Sequence, residues 1–233
     1  MNRGAGILLS ITSLPSKYGI GCFSKSAYDF VDWLKAAGQT YWQILPLGPT
    51  SYGDSPYQSF STYAGNPYFI DLEALIEEGV LTREECEKAD MGEEEGTIDY
   101  KKMYEGRYPL LRKAYERSNI SQNPDYIRFM EENGWWLSDY ALFMAVKGRF
   151  DGAPWTEWAQ DIRLRWGYAM DYYRRELYFD IEFQQYLQFT FYKQWQALKD
   201  YANRQGVRII GDIPIYVAMD SADAWAHPDL FQL

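Results

Sequence analysis

Apolar positions along this chain follow two different periods, and the switches between them lay out its elements. Gly6-Ile-Leu-Leu9 is a short apolar run that reads as a strand and passes into a loop over residues 10–19. From about Ser26, the residues Ala27, Phe30, Val31 and Leu34 share one face of a helix. Ser24 or Ser26 is placed to cap its start, and Gly38 stands at its stop. Tyr41-Trp-Gln-Ile-Leu45, ended by Pro46, reads as a second, buried strand. Strand, helix and strand with short links make a βαβ unit, which predicts parallel pairing. Much later, Phe183, Leu187, Phe191, Trp195, Leu198 and Ala202 recur at three- and four-residue spacing and give one apolar stripe on a long helix. Gly206 stops that helix. Val207-Arg-Ile-Ile210 follows at once as a third strand, predicted to be buried and parallel, and Gly211, Asp212 and Pro214 end it.

Between the second and third strands the alternation breaks. Residues 46–68 form a long loop rich in Gly, Pro, Ser and Tyr, and from Leu72 to Glu176 the pattern is mostly helical, with helices at 100–117, 124–132, 135–147 and 161–177. Trp135 and Trp136 lie in an apolar stretch with Leu137, Tyr140, Phe143 and Met144 and are expected in a core. This span is too long to be one crossover helix packed on a sheet. The predicted class is therefore α/β: an incomplete (β/α)8 barrel, first three strands only, with a large mostly helical insertion between strands two and three. Residues 1–70 start the barrel, 71–178 form the inserted subdomain, and 179–233 resume the barrel. An eight-stranded barrel takes about 250 residues before any insertion, so closure is not expected within 233 residues.

Composition narrows the partners. Thirty-three acidic side chains against 23 basic ones give a net charge of -10. No Lys/Arg cluster of the kind that binds phosphates is present, so no nucleic-acid partner is expected. Cys22 and Cys86 are far apart in unrelated sequence and His227 is the single histidine, so no Cys/His metal site can be built. The start, Met1-Asn-Arg-Gly, carries no apolar run long enough for a signal peptide or a span. A reduced, cytoplasmic compartment and no membrane partner are expected. Aromatic residues make up 18% of the chain. Such rings serve packing, but in polar, Gly-rich loops they also stack against the apolar faces of sugars.

Two places could carry chemistry. Asp212 stands at the C-terminal end of a strand, where barrel enzymes keep their functional groups, and a carboxylate there is partly desolvated and needs a partner. The loop from Gly48 to Ser61 should lie on the same rim and offers hydroxyls, an amide, Asp54 and the rings of Tyr52 and Tyr57. An ordinary turn-rich loop would read the same way. His227 is read as serving a local hydrogen bond, Asp220 or Ser221 as a helix cap, and Glu93-Glu-Glu95 as a solvated connector.

The stretches Ile44-Leu-Pro-Leu-Gly-Pro49, Gly53-Asp-Ser-Pro-Tyr-Gln-Ser-Phe-Ser61, Gly65-Asn-Pro-Tyr68, Trp135-Trp136 with Asp139-Tyr-Ala-Leu-Phe143, and Ile210-Gly-Asp-Ile-Pro214 through Trp225-Ala-His-Pro228 resemble the amylomaltases, or 4-α-glucanotransferases, over nearly the whole chain. The resemblance implies a barrel enzyme that cleaves an α-1,4 glucan and passes the fragment to another sugar. The chemistry is a retaining double displacement between paired carboxyl groups about 5–5.5 Å apart. It implies no metal and no organic cofactor, and a malto-oligosaccharide as partner. By matching motifs, Tyr57 would be a stacking platform and Asp212 a hydroxyl acceptor near the scissile bond, with Ser55 beside them and Tyr52 a further glucan contact. The family's Arg-Ile-Asp-His, Ala-Glu-Asp and Thr-His-Asp type segments are absent from these residues. The nucleophile and acid are expected beyond Leu233, and this chain alone is expected to be inactive. The alternatives are a glucan-binding module and an interaction fragment that self-associates through an open sheet edge.

Overall fold

The computed structural model describes residues 3–50, 54–92 and 97–232. They divide into two compact units interleaved along the chain: residues 1–47, 66–119 and 190–213, and residues 48–65, 120–189 and 214–233.

The first unit is built on a three-stranded parallel sheet in the order β1-β2-β3, with β1 at Gly6–Leu8, β2 at Tyr41–Gln43 and β3 at Arg208–Ile210. Trp42 is level with Ile7 on one side and Ile209 on the other. Helix α1, Lys25–Ala36, connects β1 to β2 and buries Ala27, Val31 and Leu34, the face that its spacing predicted. Phe30 meets the Trp42 ring edge-on at 5.0 Å. Ser24 holds the cap position of α1, but its side chain makes no bond to a helix amide. At the other end Gly38 takes a left-handed φ of 70°. This lets its own N–H reach the carbonyl of Lys35 and lets Gln39 N–H reach that of Leu34, which closes the helix.

Strand β3 departs from expectation. Val207, just before it, is buried, yet Arg208 and Ile210 are exposed and Ile209 is half-buried. Its β-branched run predicted a strand covered on both faces. Instead, among the described residues, β3 stands at the edge of this sheet and pairs with β2 alone. Trp42 and Ile44, from the central strand and its exit, are the residues driven out of water.

Helices α2 (Leu72–Glu77), α3 (Arg83–Lys88) and α4 (Tyr100–Arg117) complete this unit together with residues 190–204 of the long helix α8 (Tyr178–Arg204). Arg107 on α4 is fully buried and donates to the carbonyls of Ile70 and Tyr18. A guanidinium without water needs such partners, and here they fix two irregular stretches of backbone. Gln194 on α8 treats Asp71 as a strand neighbour would: its oxygen accepts from Asp71 N–H at 2.7 Å and its nitrogen donates to Asp71 C=O at 3.3 Å.

The second unit is helical: α5 (Pro124–Arg149), α6 (Gln160–Arg163), α7 (Gly167–Glu176), residues 178–189 of α8 (Tyr178–Arg204) and α9 (Ala222–Ala226). The two helices predicted at 124–132 and 135–147 are one. Between the two predicted spans, the Asn133 amide nitrogen donates to Phe129 C=O and its oxygen accepts from the Trp136 indole, so the side chain is satisfied without ending the helix. The helix predicted at 161–177 is broken in two. Trp166 N–H bonds Asp161 C=O and Arg165 N–H bonds Ile162 C=O, with Arg165 at φ 55° where glycine usually sits. Its side chain holds it there: the guanidinium bonds Asp139 at 2.7 Å and lies 4.3 Å over the Trp225 ring. Leu137, Phe143, Trp158, Ile162, Leu187 and Trp225 are buried in this unit. The tryptophan pair splits, Trp136 being buried and Trp135 66% exposed. Adjacent positions on a helix point about 100° apart, so both cannot face one core.

Candidate functional site

Ser55 and Tyr57 are brought together by a local turn. Ser55 C=O accepts from Gln58 N–H at 3.1 Å, and its hydroxyl accepts from Tyr57 N–H at 3.3 Å. Ser-Pro-Tyr favours this: Pro56 presets φ at the first corner, and a serine ahead of it bonds the backbone two residues on. The Tyr57 side chain emerges 45% exposed from a loop that is otherwise tied down. Thr50 and Ser59 form an antiparallel bridge across its mouth. Ser59 and Ser61, both buried, then satisfy the next stretch. The Ser59 hydroxyl donates to Ser61 C=O, and the Ser61 hydroxyl accepts from Tyr63 and Ala64 N–H. Gln188, fully buried on α8, closes the loop by bonding both backbone groups of Gly65, at 2.7 and 2.9 Å. Tyr52, the remaining aromatic candidate of this loop, lies outside the described residues, as does the acidic run at 93–95.

Asp212 belongs to the other unit. It is half-buried two residues past the end of β3, and one carboxylate oxygen accepts from the N–H of Ile213 at 2.9 Å. The partner that its burial called for includes a backbone amide of its own turn. Beyond it the side chains stand in water: Ile213, Ile215 and Tyr216 are 77%, 86% and 83% exposed.

Two residues that matter to the Tyr57 loop carry no sequence signal. Gln188 sits 123 positions from the glycine that it holds. Lys147, near the end of α5, is buried, and its ammonium bonds Asp220 at 2.5 Å while lying 5.1 Å from the centre of the Phe60 ring. Asp220 is thus not a cap. Ser221 alone caps α9, accepting from Ala224 N–H at 3.2 Å, and His227 ends that helix through its own N–H to Asp223 C=O. The loop also leans on α9 directly, through Ala222 N–H to Phe60 C=O and Thr62 N–H to the Asp223 carboxylate. A covariation signal between these pairs is what could have found them.

Among the described residues no group of three or more His, Cys, Asp or Glu side chains is gathered to hold a metal ion, and no helix is long and apolar enough to cross a membrane. Cys22 and Cys86 are both buried and unbridged, and burial pushes the Cys86 thiol up to about 11.

The loop fixes much of its backbone through its own side chains while the Tyr57 ring stands half exposed, an arrangement in which an aromatic face is open to stacking. Known proteins are similar to this chain in sequence and in structure. The 4-alpha-glucanotransferase of Clostridium butyricum is 49% identical over 225 residues, 97% of this chain and 46% of that protein. That of Thermus thermophilus is 46% identical over 235 residues, again 46% of its length. In structure, an amylomaltase from Streptococcus agalactiae in complex with acarbose superposes with a TM-score of 0.95 at 42% identity, over all of this chain and 47% of that one. The chain thus spans about half the length of the curated relatives that it matches. A family profile described as 4-alpha-glucanotransferase matches residues 9–233, and with nearly every residue accounted for in that match, the chain belongs to the 4-alpha-glucanotransferase family.

Proposed function

We propose that these residues are the sugar-gripping part of a retaining 4-α-glucanotransferase that moves α-1,4-glucan segments between malto-oligosaccharides. The observation that carries this reading is the turn at Ser55–Tyr57, which bears a solvent-facing ring on a hydrogen-bonded loop, within a chain so similar to an acarbose-bound amylomaltase. Tyr57 stacks on the apolar face of a glucose unit and Ser55 bonds a hydroxyl. Asp212 accepts a hydroxyl near the scissile bond, and Tyr52 touches the glucan further out. In fold terms, β1, β2 and β3 are the first three strands of a (β/α)8 barrel and the helices at 71–178 an insertion between the second and third. The parallel order β1-β2-β3 supports this.

The reaction needs a nucleophilic carboxylate and a carboxylic acid about 5–5.5 Å apart, and the family's segments for both are absent from the 233 residues. We therefore expect this chain alone to bind glucan without transferring it. Incubated with maltotriose, it should yield neither glucose nor longer maltodextrins, and clear disproportionation would overturn that expectation. Calorimetric titration with maltoheptaose tests the grip: Tyr57→Ala should weaken binding about tenfold, or about 1.4 kcal/mol, without lowering stability. Equal heats in both proteins would remove Tyr57 from the site.

A second reading, an assembly surface, is favoured by the exposed apolar side chains of Ile210, Ile213, Ile215 and Tyr216 at the end of an edge strand. Light scattering from a compact monomer at high concentration would remove it.

A further inference from the structure

Lys147 is a cation taken out of water on the last turn of a long helix, and nothing in the expected chemistry uses it. Its side chain is 6% exposed. The ammonium donates to Asp220 Oδ2 at 2.5 Å and to Ala153 C=O at 3.3 Å, and it faces the rings of Phe60 and Phe143 at 5.1 and 6.0 Å. The other oxygen of Asp220 accepts from Trp155 N–H at 3.2 Å, and the Trp155 indole donates to Met219 C=O at 2.7 Å. One residue after Asp220, the buried Ser221 caps α9; there Ala222 N–H donates to Phe60 C=O, and the Asp223 carboxylate accepts from Thr62 N–H. Lys147 therefore grips both halves of one joint: the ring of Phe60, three residues past Tyr57, and the carboxylate that leads into α9.

A buried ion pair is weak evidence for stability, since apolar residues of similar volume often serve as well or better. What the ammonium adds is direction. Three donors and attraction to a ring face fix where Phe60 and Asp220 stand relative to each other. We infer that Lys147 is a positioning residue that holds the Ser55–Tyr57 loop in its ligand-ready form through Phe60 and Asp220. The inference rests on the glucan-site reading above for its purpose, though not for its geometry.

The test uses the chain as it stands with Lys147→Met, Lys147→Arg and the apolar pair Lys147→Met with Asp220→Leu. Each is followed by thermal unfolding, amide hydrogen exchange and maltoheptaose titration. The paired variant is expected to recover most of the melting temperature lost by Lys147→Met. Its amides at 54–62 should still exchange at least tenfold faster than in the unaltered chain, with maltoheptaose bound at least tenfold more weakly. Lys147→Arg should keep exchange and affinity within about twofold. A purely structural lysine predicts the opposite, with exchange and affinity returning together with the melting temperature, and that result would overturn the inference. Should the paired variant not recover its stability, the Lys147→Arg result decides, and loss of loop protection there overturns it. Absence of maltoheptaose binding in the unaltered chain would defeat the glucan-site reading alone, and exchange at 54–62 would still decide the role of Lys147.

Discussion

The segments that leave β2 and β3 are both irregular, both rich in turn residues and both candidates for a binding rim, yet they are held in opposite ways. After β2, residues 54–65 are secured at almost every step, by Ser55, Ser59 and Ser61 from within and by Gln188, Ala222 and Asp223 from without. After β3, residues 213–219 hold apolar side chains in water, including Ile213, Ile215, Tyr216 and Met219. The difference lies in the side chains. Serines satisfy backbone groups locally and let a loop be rigid without a core, whereas isoleucine and tyrosine gain order only when something apolar lies against them. Under the function proposed above, a loop held in this way would present Tyr57 already placed and spare a ligand the cost of ordering it.

The strongest way to break this contrast is to cut the amide pair at Gly65. Gln188→Leu keeps the volume buried on α8 but strands the N–H and C=O of a buried glycine. Each unpaired group costs about 1–3 kcal/mol. We expect a loss of about 2–4 kcal/mol in urea unfolding, together with faster amide exchange across 54–65. A fall below about 0.5 kcal/mol would mean that Gln188 reports the loop's position without setting it.

A titration sharpens the picture at the far end of the same connection, where two carboxyl groups two residues apart are shifted in opposite directions. Burial raises Asp71 above its ordinary value, whereas the two-pronged bond from Arg83, helped by the Tyr18 hydroxyl, brings Glu73 down to about 2. The signs follow. Glu73, lowered in the folded chain, contributes stability that is present above the unfolded value of about 4.3 and is lost as the pH falls towards 2. Asp71, raised, penalises the folded chain at neutral pH, and acid relieves that penalty. Stability measured from pH 6 to 2 should therefore decline less in Glu73→Gln than in the unaltered chain, and more steeply in Asp71→Asn, where asparagine keeps the cap on α2. Parallel curves for all three proteins would contradict both assignments. The effect should be smaller than that of Gln188→Leu, since Arg83 is half exposed and water screens the pair.

What the sequence made legible follows from the range of the interactions involved. Helix α1 with its glycine stop, the span of α4 and the apolar stripe of α8 depend on neighbours three and four positions apart, and these periods are visible in a single chain. The turn at Ser55–Tyr57 is local in the same sense. Helix boundaries differ from the pattern where side chains find distant or unusual partners. Asn133 settled its amide inside α5, and Arg165 tolerates a left-handed φ because Asp139 and Trp225 hold its guanidinium. Among the described residues β3 pairs with β2 alone, and composition describes a strand's preference but not which neighbours it receives. Lys147 with Asp220, and Gln188 with Gly65, meet across 73 and 123 positions, and no period connects them.

The smallest expected effect bears on the other half of the contrast. If the segment after β3 owes nothing to its own apolar side chains, Ile215→Ser and Tyr216→Ser should each leave unfolding free energy within about 0.5 kcal/mol of the unaltered chain, as surface changes usually do. Both residues are more than four-fifths exposed, so little area is returned to water when they are shortened. The same variants should reduce any concentration-dependent association, because an apolar stretch beside an unpaired strand edge is what a second chain would cover. Urea midpoints and light scattering read these two quantities separately. A loss above 1 kcal/mol in either variant at a concentration where the chain is monomeric would show that the side chains pack on their own molecule. The contrast between a loop held by serines and a segment held by nothing of its own would then fail at the second term.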